Sequence, residues 1–462
     1  MTYYEQNIEP LYGKKREVIF DTTLLGNNTI PHMYNINERI DMTEYATYSI
    51  DPEGCEDADD AFSIYTENDK LYLAIHIADP TEYINIDSLL WKDIENRVVT
   101  RYPSKNKPIH MIPEEIMEKA SLMVNKYGKI KLAITILTEI DRETYNPIGN
   151  VRLLFTKIKV EQENALSYVK AGKLFYTNDV LDNGIKISKA LTQIRSGKTK
   201  GVILNEVSNS YVKYDDETSY LYHDSPTEKL MKQMIAEFAI FANSFVGEYL
   251  KINFEGVGIY RICSASEWLS TVYNKITGQE LLNEIIVNGI QAEYISSVKS
   301  HDLVGSPEYC HFTSPIRRLS DCVCHYLLKY IHLKNLEKIL PIPFHNTQLE
   351  TYSKNCMLMT RKIKNIQYKD TKYRLLQTMN EMLLKNPSIS IQYYVSSYVK
   401  VFFNIIINNI NGHAVYLSYT LRINDLQTDY VIKQINSIVI TQVNYENKFD
   451  EGSIPELDAL YI

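Results

Sequence analysis

Between Asp51 and Asp60 the chain places four aspartates and two glutamates in ten positions: Asp51-Pro52-Glu53-Gly54-Cys55-Glu56-Asp57-Ala58-Asp59-Asp60. Strand-like apolar sequence flanks the run, with Tyr48 and Ile50 before it and Phe62, Ile64 and Tyr65 after it, up to a turn at Glu67-Asn68-Asp69. Carboxylates this close repel one another and raise each other's pKa unless a cation neutralises them. An exposed acidic turn tolerates that repulsion in water, and a bound cation removes it. A donor set dominated by carboxylate oxygens suits a hard ion, Mg²⁺ or Mn²⁺, rather than zinc.

A calcium EF-hand is excluded, because counting from Asp57 puts Ala61 and Phe62 where Asp or Asn and then Gly are needed. Asp57-Ala58-Asp59-Asp60 also fits the short D-x-D-D acid motif of some terpene cyclases. Their cavities are rich in aromatics including Trp, and this chain has only Trp91 and Trp268. A second stretch narrows the choice: Tyr309-Cys310-His311-Phe312-Thr313-Ser314-Pro315-Ile316-Arg317-Arg318-Leu319-Ser320-Asp321. Ser314-Pro315 predicts a helix start, continued by Leu319, Cys322, Val323, Tyr326, Leu327 and Tyr330. Arginines in a first helical turn oppose the helix dipole, unless an anion binds at the free N–H groups there. Asp321, four residues beyond Arg317, is expected to hold that guanidinium. A surface helix with a poor N-terminus is the plain alternative.

The string from Ser49 to Ala61 resembles the signature of the ribonuclease II family, the RNB-type 3′→5′ exoribonucleases, with all four aspartates in place. The second stretch resembles the family's H-F-T-S-P-I-R-R-Y-x-D motif and departs from it where Leu319 replaces the aromatic. Shorter matches are Arg39-Ile40-Asp41, the Ala78-Asp79-Pro80 turn, Asn164 to Tyr168, Glu237 with Asn243, and Tyr260-Arg261. The resemblance spans roughly Arg39 to Leu384. It implies an α+β fold: an RNB catalytic domain at 39–386, with mixed sheets, surrounding helices and a deep RNA channel, then an OB-fold-like β-barrel at 387–462. Residues 1–38 are too few for a complete cold-shock barrel. The implied activity is processive, Mg²⁺-dependent hydrolysis of single-stranded RNA from its 3′ end to nucleoside 5′-monophosphates by a two-metal mechanism, with Mn²⁺ as the other candidate ion. By resemblance, Asp51, Asp57 and Asp60 hold metal, Asp59 and Arg317 are catalytic, and Tyr102, Tyr168, Glu237, Arg261 and Arg318 contact RNA. Two other classes stay open: a catalytically silent relative that binds RNA or a partner, and an unrelated Mg²⁺ enzyme acting on a phosphorylated small molecule.

At 462 residues the chain is longer than one ordinary domain, and its 45% hydrophobic and 23% charged residues are those of a globular protein. No run approaches a membrane span and the N-terminus lacks a signal-peptide pattern, so an intracellular, cytoplasmic protein is the default expectation; protein partners stay open, a monomer among the options. Six cysteines show no C-x-x-C pair and no disulfide framework. A net charge of −8 argues against coating nucleic acid, so RNA binding requires basic residues segregated into a channel. Six of them, Arg361, Lys362, Lys364, Lys369, Lys372 and Arg374, fall in the middle of a helix expected from Thr347 to Lys385, with Asp370 the lone acid against them. They read as a phosphate-tracking wall or a solvated face. Residues 130–159 alternate like a strand pair, and His76 within an apolar run reads as a core residue. Ser225-Pro226-Thr227-Glu228 is a capping box. Beyond Pro387, strands are expected at 389–407, 414–421 and 431–443, with Asn411-Gly412 as a hairpin turn.

Overall fold

The computed structural model describes residues 3–26, 29–199, 210–215, 218–272, 276, 281, 284–285, 289–399, 402–422, 434–441 and 443. The chain opens with a short helix, α1 (Tyr3–Asn7), followed by 3₁₀ turns at Glu9–Tyr12 and Thr23–Leu25. Among the described residues no strand precedes Ile40.

Six strands then form the central sheet: β1 (Ile40–Asp41), β2 (Thr47–Asp51), β3 (Asp60–Glu67), β4 (Lys70–Ala78), β5 (Ile130–Ile140) and β6 (Pro147–Ser167). Asn68 and Asp69 join β3 to β4 at positive φ, the pair of left-handed residues that a two-residue hairpin needs. β6 is long enough to serve two neighbours. Its first half runs antiparallel to β5, and its second half runs parallel to β2, from Thr47↔Val160 to Asp51↔Ser167. The ring β2-β3-β4-β5-β6 therefore closes on itself, with β1 beside β6. Leu73, Ile75, Ile77, Ile134, Ile136, Phe155 and Ile158 help fill its core. His76 is a core residue, as expected: Ser63 Oγ lies 3.1 Å and Thr135 Oγ1 2.8 Å from its ring nitrogens. Burial pushes its imidazole down to about 3, so it is neutral.

Helices cover the ring. α2 (Leu89–Arg97) begins at Ser88, whose side chain accepts from the Trp91 N–H, and α3 (Glu114–Ala120) follows. α4 (Tyr168–Leu174) continues directly from β6, and α5 (Asp179–Thr199) packs on α6 (Pro226–Asn253). The capping box at Ser225 and Glu228 is formed as the sequence predicts. Between α5 and α6 lies the hairpin β7 (Ser210–Asp215) and β8 (Thr218–His223). β9 (Val257–Ile262), α7 (Ser266–Val272) and β10 (Glu293–Ser297) lead to α8 (Leu319–Asn335), nearly all of it buried. A buried ionic network ties α8 to the ring. Lys329 Nζ lies 3.0 Å from Asp79 and 2.6 Å from Glu82, and Arg39 Nη2 lies 2.6 and 2.8 Å from the same two carboxylates.

The start of α8 corrects the sequence reading. The helix begins at Leu319, not at Ser314-Pro315, and Arg318 before it is extended. Residues 314–318 make a single turn, closed by Arg318 N–H on Ser314 O; Leu319 N–H then donates to Val98 O and Thr100 N–H to Arg317 O, so strand-like pairing with 98–100 interrupts the chain before the helix.

α9 (Asn346–Lys385) ends at Asn386, as the Asn-Pro signal predicts. The basic wall on it is thinner than expected. Arg361, though exposed, pairs with Glu293 at 2.6 Å, Arg374 lies 3.6 Å from Asp370 and Lys372 is buried, while Lys362, Lys364 and Lys369 are exposed. Four antiparallel strands follow: β11 (Ile389–Val399), β12 (Phe402–Ile410), β13 (His413–Arg422) and β14 (Ile435–Ile440), in the order β13-β12-β11-β14. The apolar run 389–407 is thus two strands rather than one. Asn411 and Gly412 turn the β12–β13 hairpin at positive φ, as expected. The expected strand at 431–443 is partly outside the described residues (431–433 and 442). Among the described residues these strands form an open sheet rather than a closed barrel. Its apolar face (Ile389, Ile391, Tyr393, Val395, Ile405 and Ile407) packs on Leu375, Leu376 and Met379 of α9. All six cysteines are free. No helix among the described residues is long and apolar enough to cross a membrane.

Candidate active site

The acidic run is the connection between β2 and β3, at the end of the ring where β6 passes into α4. Backbone bonds hold this loop: Ala78 N–H donates to Asp59 O, and Leu122 N–H donates to Ala58 O. Asp59 is 3% exposed and fully engaged. Its Oδ1 accepts the Ile316 N–H at 2.8 Å, and its Oδ2 accepts Arg317 Nε at 2.8 Å. Arg317 Nη2 also donates to Ser314 Oγ at 2.8 Å, while its side chain stays 42% exposed. The guanidinium is thus fixed on one edge and open on another.

This pairing overturns the expectation that Asp321 holds Arg317. Asp321 accepts Arg318 Nη2 and the Ser314 N–H, both at 2.8 Å. Four-residue spacing brings side chains together only inside a helix, and Arg317 lies before α8 begins.

Asp51 ends β2. Its Oδ2 is buried and has no hydrogen-bond partner among the described residues. Burial, then the charges of Asp60 and Asp59, pushes its carboxyl up to about 7. Asp60 is pushed up to about 6 by burial, against the pull of Arg317 and Arg318. Burial likewise raises Asp59 to about 7 against its Arg317 and Ile316 donors, and the same pair tightens the proton on Arg317. Asp57 accepts the Tyr102 hydroxyl at 2.9 Å and lies 3.5 Å from Cys55 Sγ. The donor chemistry fits a hard divalent cation: crowded carboxylates, one orphaned buried oxygen and protons held to near neutrality. Even so, among the described residues no three His, Cys, Asp or Glu side chains are gathered closely enough to cage a metal ion alone. Water and phosphate oxygens would have to complete its coordination, as Mg²⁺ commonly requires.

Other residues singled out by sequence fall into two groups. Tyr168 reaches the cluster, because Ser167 before it pairs with Asp51; burial and the charges of Asp60 and Asp51 raise its phenol. Tyr102 reaches it through Asp57, and Arg318 is pinned beside it by Asp321. Arg261 stacks over Tyr294 at 4.5 Å, and the Tyr294 hydroxyl is 2.6 Å from His311 Nδ1. Glu237, by contrast, is 5% exposed and its carboxylate is taken up by Arg195 at 2.6 Å. Sequence reasoning missed the Ile316 N–H and the Ser314 hydroxyl, although both belong to the Ser-Pro-Ile-Arg string. Asn243 was legible, and it fixes that string's approach by accepting the Phe312 N–H at 2.8 Å and donating to the Tyr309 hydroxyl at 3.0 Å.

The family model described as the RNB domain matches residues 39–334. The chain belongs to the RNB domain family. Ribonuclease R of Thermotoga maritima is 26% identical over 68% of this RNB chain and 48% of its own length. Exoribonuclease 2 of Mannheimia succiniciproducens is 24% identical over 78% of this chain and 60% of its own. The chain spans about half the length of the curated relatives it matches. Among solved structures, the Dss1 exoribonuclease from Candida glabrata superposes with a TM-score of 0.72 at 18% identity, over 87% of this chain and 54% of that one. Mycoplasma genitalium RNase R in complex with ribose-methylated single-stranded RNA gives 0.70 at 17%, over 96% and 74%. Yeast Ssd1, described as a pseudonuclease, gives 0.62 at 16%, over 83% and 50%. These structural likenesses show the RNB fold.

Proposed function

We propose that this RNB-family chain is a Mg²⁺-dependent exoribonuclease that degrades single-stranded RNA processively from the 3′ end to nucleoside 5′-monophosphates. The observation that supports it is the guanidinium of Arg317, oriented by Asp59 and half open to solvent, beside the carboxylates of Asp51, Asp57 and Asp60. Mg²⁺ (or Mn²⁺) bound at those three carboxylates, two ions per site with the RNA phosphate completing the second, would supply an activated water and stabilise the leaving 3′-oxygen. Asp59, committed to Arg317 and the Ile316 N–H, orients the arginine rather than binding metal. Arg317 meets the charge that develops on the scissile phosphate, where a fixed donor counts most. Tyr168 stacks on the terminal base, a contact that tolerates every sequence. Arg261 and Arg318 face the backbone phosphates, and Glu237, paired with Arg195, supports the RNA path from behind. In this reading 39–386 is the catalytic unit, 387–462 an OB-fold-like RNA-binding module, and 1–38 a segment without a cold-shock barrel, in a monomeric cytoplasmic enzyme.

A 5′-labelled single-stranded oligonucleotide tests the reading. Conversion of full-length RNA to a short end product without a ladder of intermediates, and release of 5′-mononucleotides from a uniformly labelled copy, both present with Mg²⁺ and abolished by chelation, are the expected outcome. RNA that is bound but never shortened under Mg²⁺ or Mn²⁺ would overturn it in favour of a silent RNA-binding relative.

A further inference from the structure

Asp370 is the lone acid in the basic middle of α9, and it is 1% exposed. Its carboxylate is a hub for two segments that are distant in sequence. From the N-terminus, the Tyr12 hydroxyl donates to Oδ2 at 2.7 Å and the Tyr4 hydroxyl donates to it at 3.3 Å. From the 99–109 loop, the Ser104 N–H donates to Oδ2 at 2.9 Å and the Ser104 hydroxyl donates to Oδ1. Four protein donors thus converge on one buried carboxylate, three on Oδ2 and one on Oδ1, and Arg374 Nε lies 3.6 Å from Oδ1. Apolar contacts surround the hub, with Tyr4, Ile8 and Tyr12 packing on Ile109, Ile363 and Ile366. Burial pushes the Tyr4 phenol up to about 12, so it stays a donor at neutral pH.

The loop held this way carries Tyr102, whose hydroxyl donates to Asp57 at 2.9 Å. On one side of Tyr102 the loop is anchored by Thr100 N–H to Arg317 O and by Arg101 Nη1 to Tyr12 O. On the other side its first anchor to another element is Ser104 on Asp370. We propose that Asp370, with Tyr4 and Tyr12, is a positioning residue: it pins the 99–109 loop to α9 and so sets Tyr102 against Asp57. The pinning stands on geometry alone; its effect on turnover rests on the exoribonuclease reading. The N-terminal segment becomes a strap on the active-site loop.

The full chain is compared with Asp370→Asn, Tyr12→Phe, Tyr102→Phe and the Asp370→Asn/Tyr102→Phe double variant. Amide hydrogen exchange should quicken about tenfold or more across 101–109 in Asp370→Asn, with β4 and β5 unchanged. Tyr12→Phe removes one donor of four and should show a smaller change in the same direction; it decides the question if Asp370→Asn does not fold. On a short RNA, Asp370→Asn and Tyr102→Phe should each slow single-turnover cleavage about tenfold, a size usual for groups that orient ligand residues, with RNA affinity unchanged. The double variant should be no slower than Tyr102→Phe, because the hub acts through that residue. Unchanged exchange at 101–109, or rate losses that multiply in the double variant, would overturn the proposal. If the wild-type chain binds RNA without cleaving it, the exoribonuclease reading is what fails, and the exchange measurement alone then decides the hub.

Discussion

Asp59 and Arg317 are hydrogen-bonded to one another, so a change at either is read through the other. Asp59→Asn keeps the shape but removes the charge that fixes the guanidinium. More than nine-tenths of turnover should be lost, above about 1.4 kcal/mol, with RNA affinity unchanged or tighter as acid repulsion falls. Arg317→Lys should cost about 10²–10³ in single-turnover rate, because an ammonium cannot present the same fork to Asp59 and a phosphate. Arg318→Lys should fall mainly in stability and RNA affinity, since Arg318 is paired with buried Asp321. Rates and dissociation constants on one short RNA check all three; an Arg318→Lys variant that loses more turnover than Arg317→Lys would reverse the assignment. The crowded carboxyls also set a pH signature. Burial pushes the carboxyls of Asp51 and Asp59 up to about 7 and that of Asp60 up to about 6, above the ordinary 3.8. A raised carboxyl contributes stability that is complete below about pH 4 and disappears as pH climbs through the folded value. The metal-free chain should therefore lose stability from pH 4 to 8, Mg²⁺ should restore much of it at pH 8, and Asp51→Asn should lessen the slope by its own share, with Asp59 and Asp60 carrying the rest. Calorimetric melting with and without chelator checks this; a wild-type slope no steeper than that of Asp51→Asn would mean that the carboxyls are not strained.

At the scale of elements, α6 shows how a helix is fitted to the site. Gly247 would ordinarily stabilise a helix when changed to Ala, by roughly 1 kcal/mol. Here a Cβ would meet the backbone carbonyl of Glu308 at 2.9 Å, and backbone cannot swing aside as a flexible side chain can. Gly247 therefore lets α6 approach the 308–312 segment closely enough for Asn243 to hold Phe312 and Tyr309. Gly247→Ala should destabilise by about 1–3 kcal/mol and slow turnover by displacing the segment that leads to Arg317. Urea unfolding and single-turnover rates are the measurements, and a more stable Gly247→Ala would show that the close approach is slack.

Over the whole molecule, the C-terminal sheet shares its core with the end of α9 and with Val212 of β7. A chain ending at Asn386 would leave Leu375, Leu376 and Met379 without that cover. We expect this truncation to weaken binding of long RNA more than it slows cleavage of a short oligonucleotide, with salt-dependent affinity that follows the phosphate contacts left. Equal losses on both substrates would show that the sheet serves folding alone.

What the sequence determined by itself was whatever short-range chemistry decides. The Ser225 capping box, the Asn411-Gly412 turn, the end of α9 at Asn386 and the loop position of the acidic run all depend on neighbours a few residues away. The membership of Asp59 and Arg317 in one site was legible too, because two strings of specific residues resemble one family. The tertiary structure decided who holds whom. Ser314-Pro315 reads as a helix start, yet pairing with 98–100 offers the backbone a better partner and delays the helix to Leu319. Once that happens, the spacing of Arg317 and Asp321 loses its meaning, and Arg317 turns to an aspartate 258 residues earlier in the chain. The Tyr102–Asp57 bond and the Asp370 hub have the same origin. Each joins segments whose proximity depends on closure of the ring and the course of α9, and no local propensity records which of many carboxylates a distant donor will find.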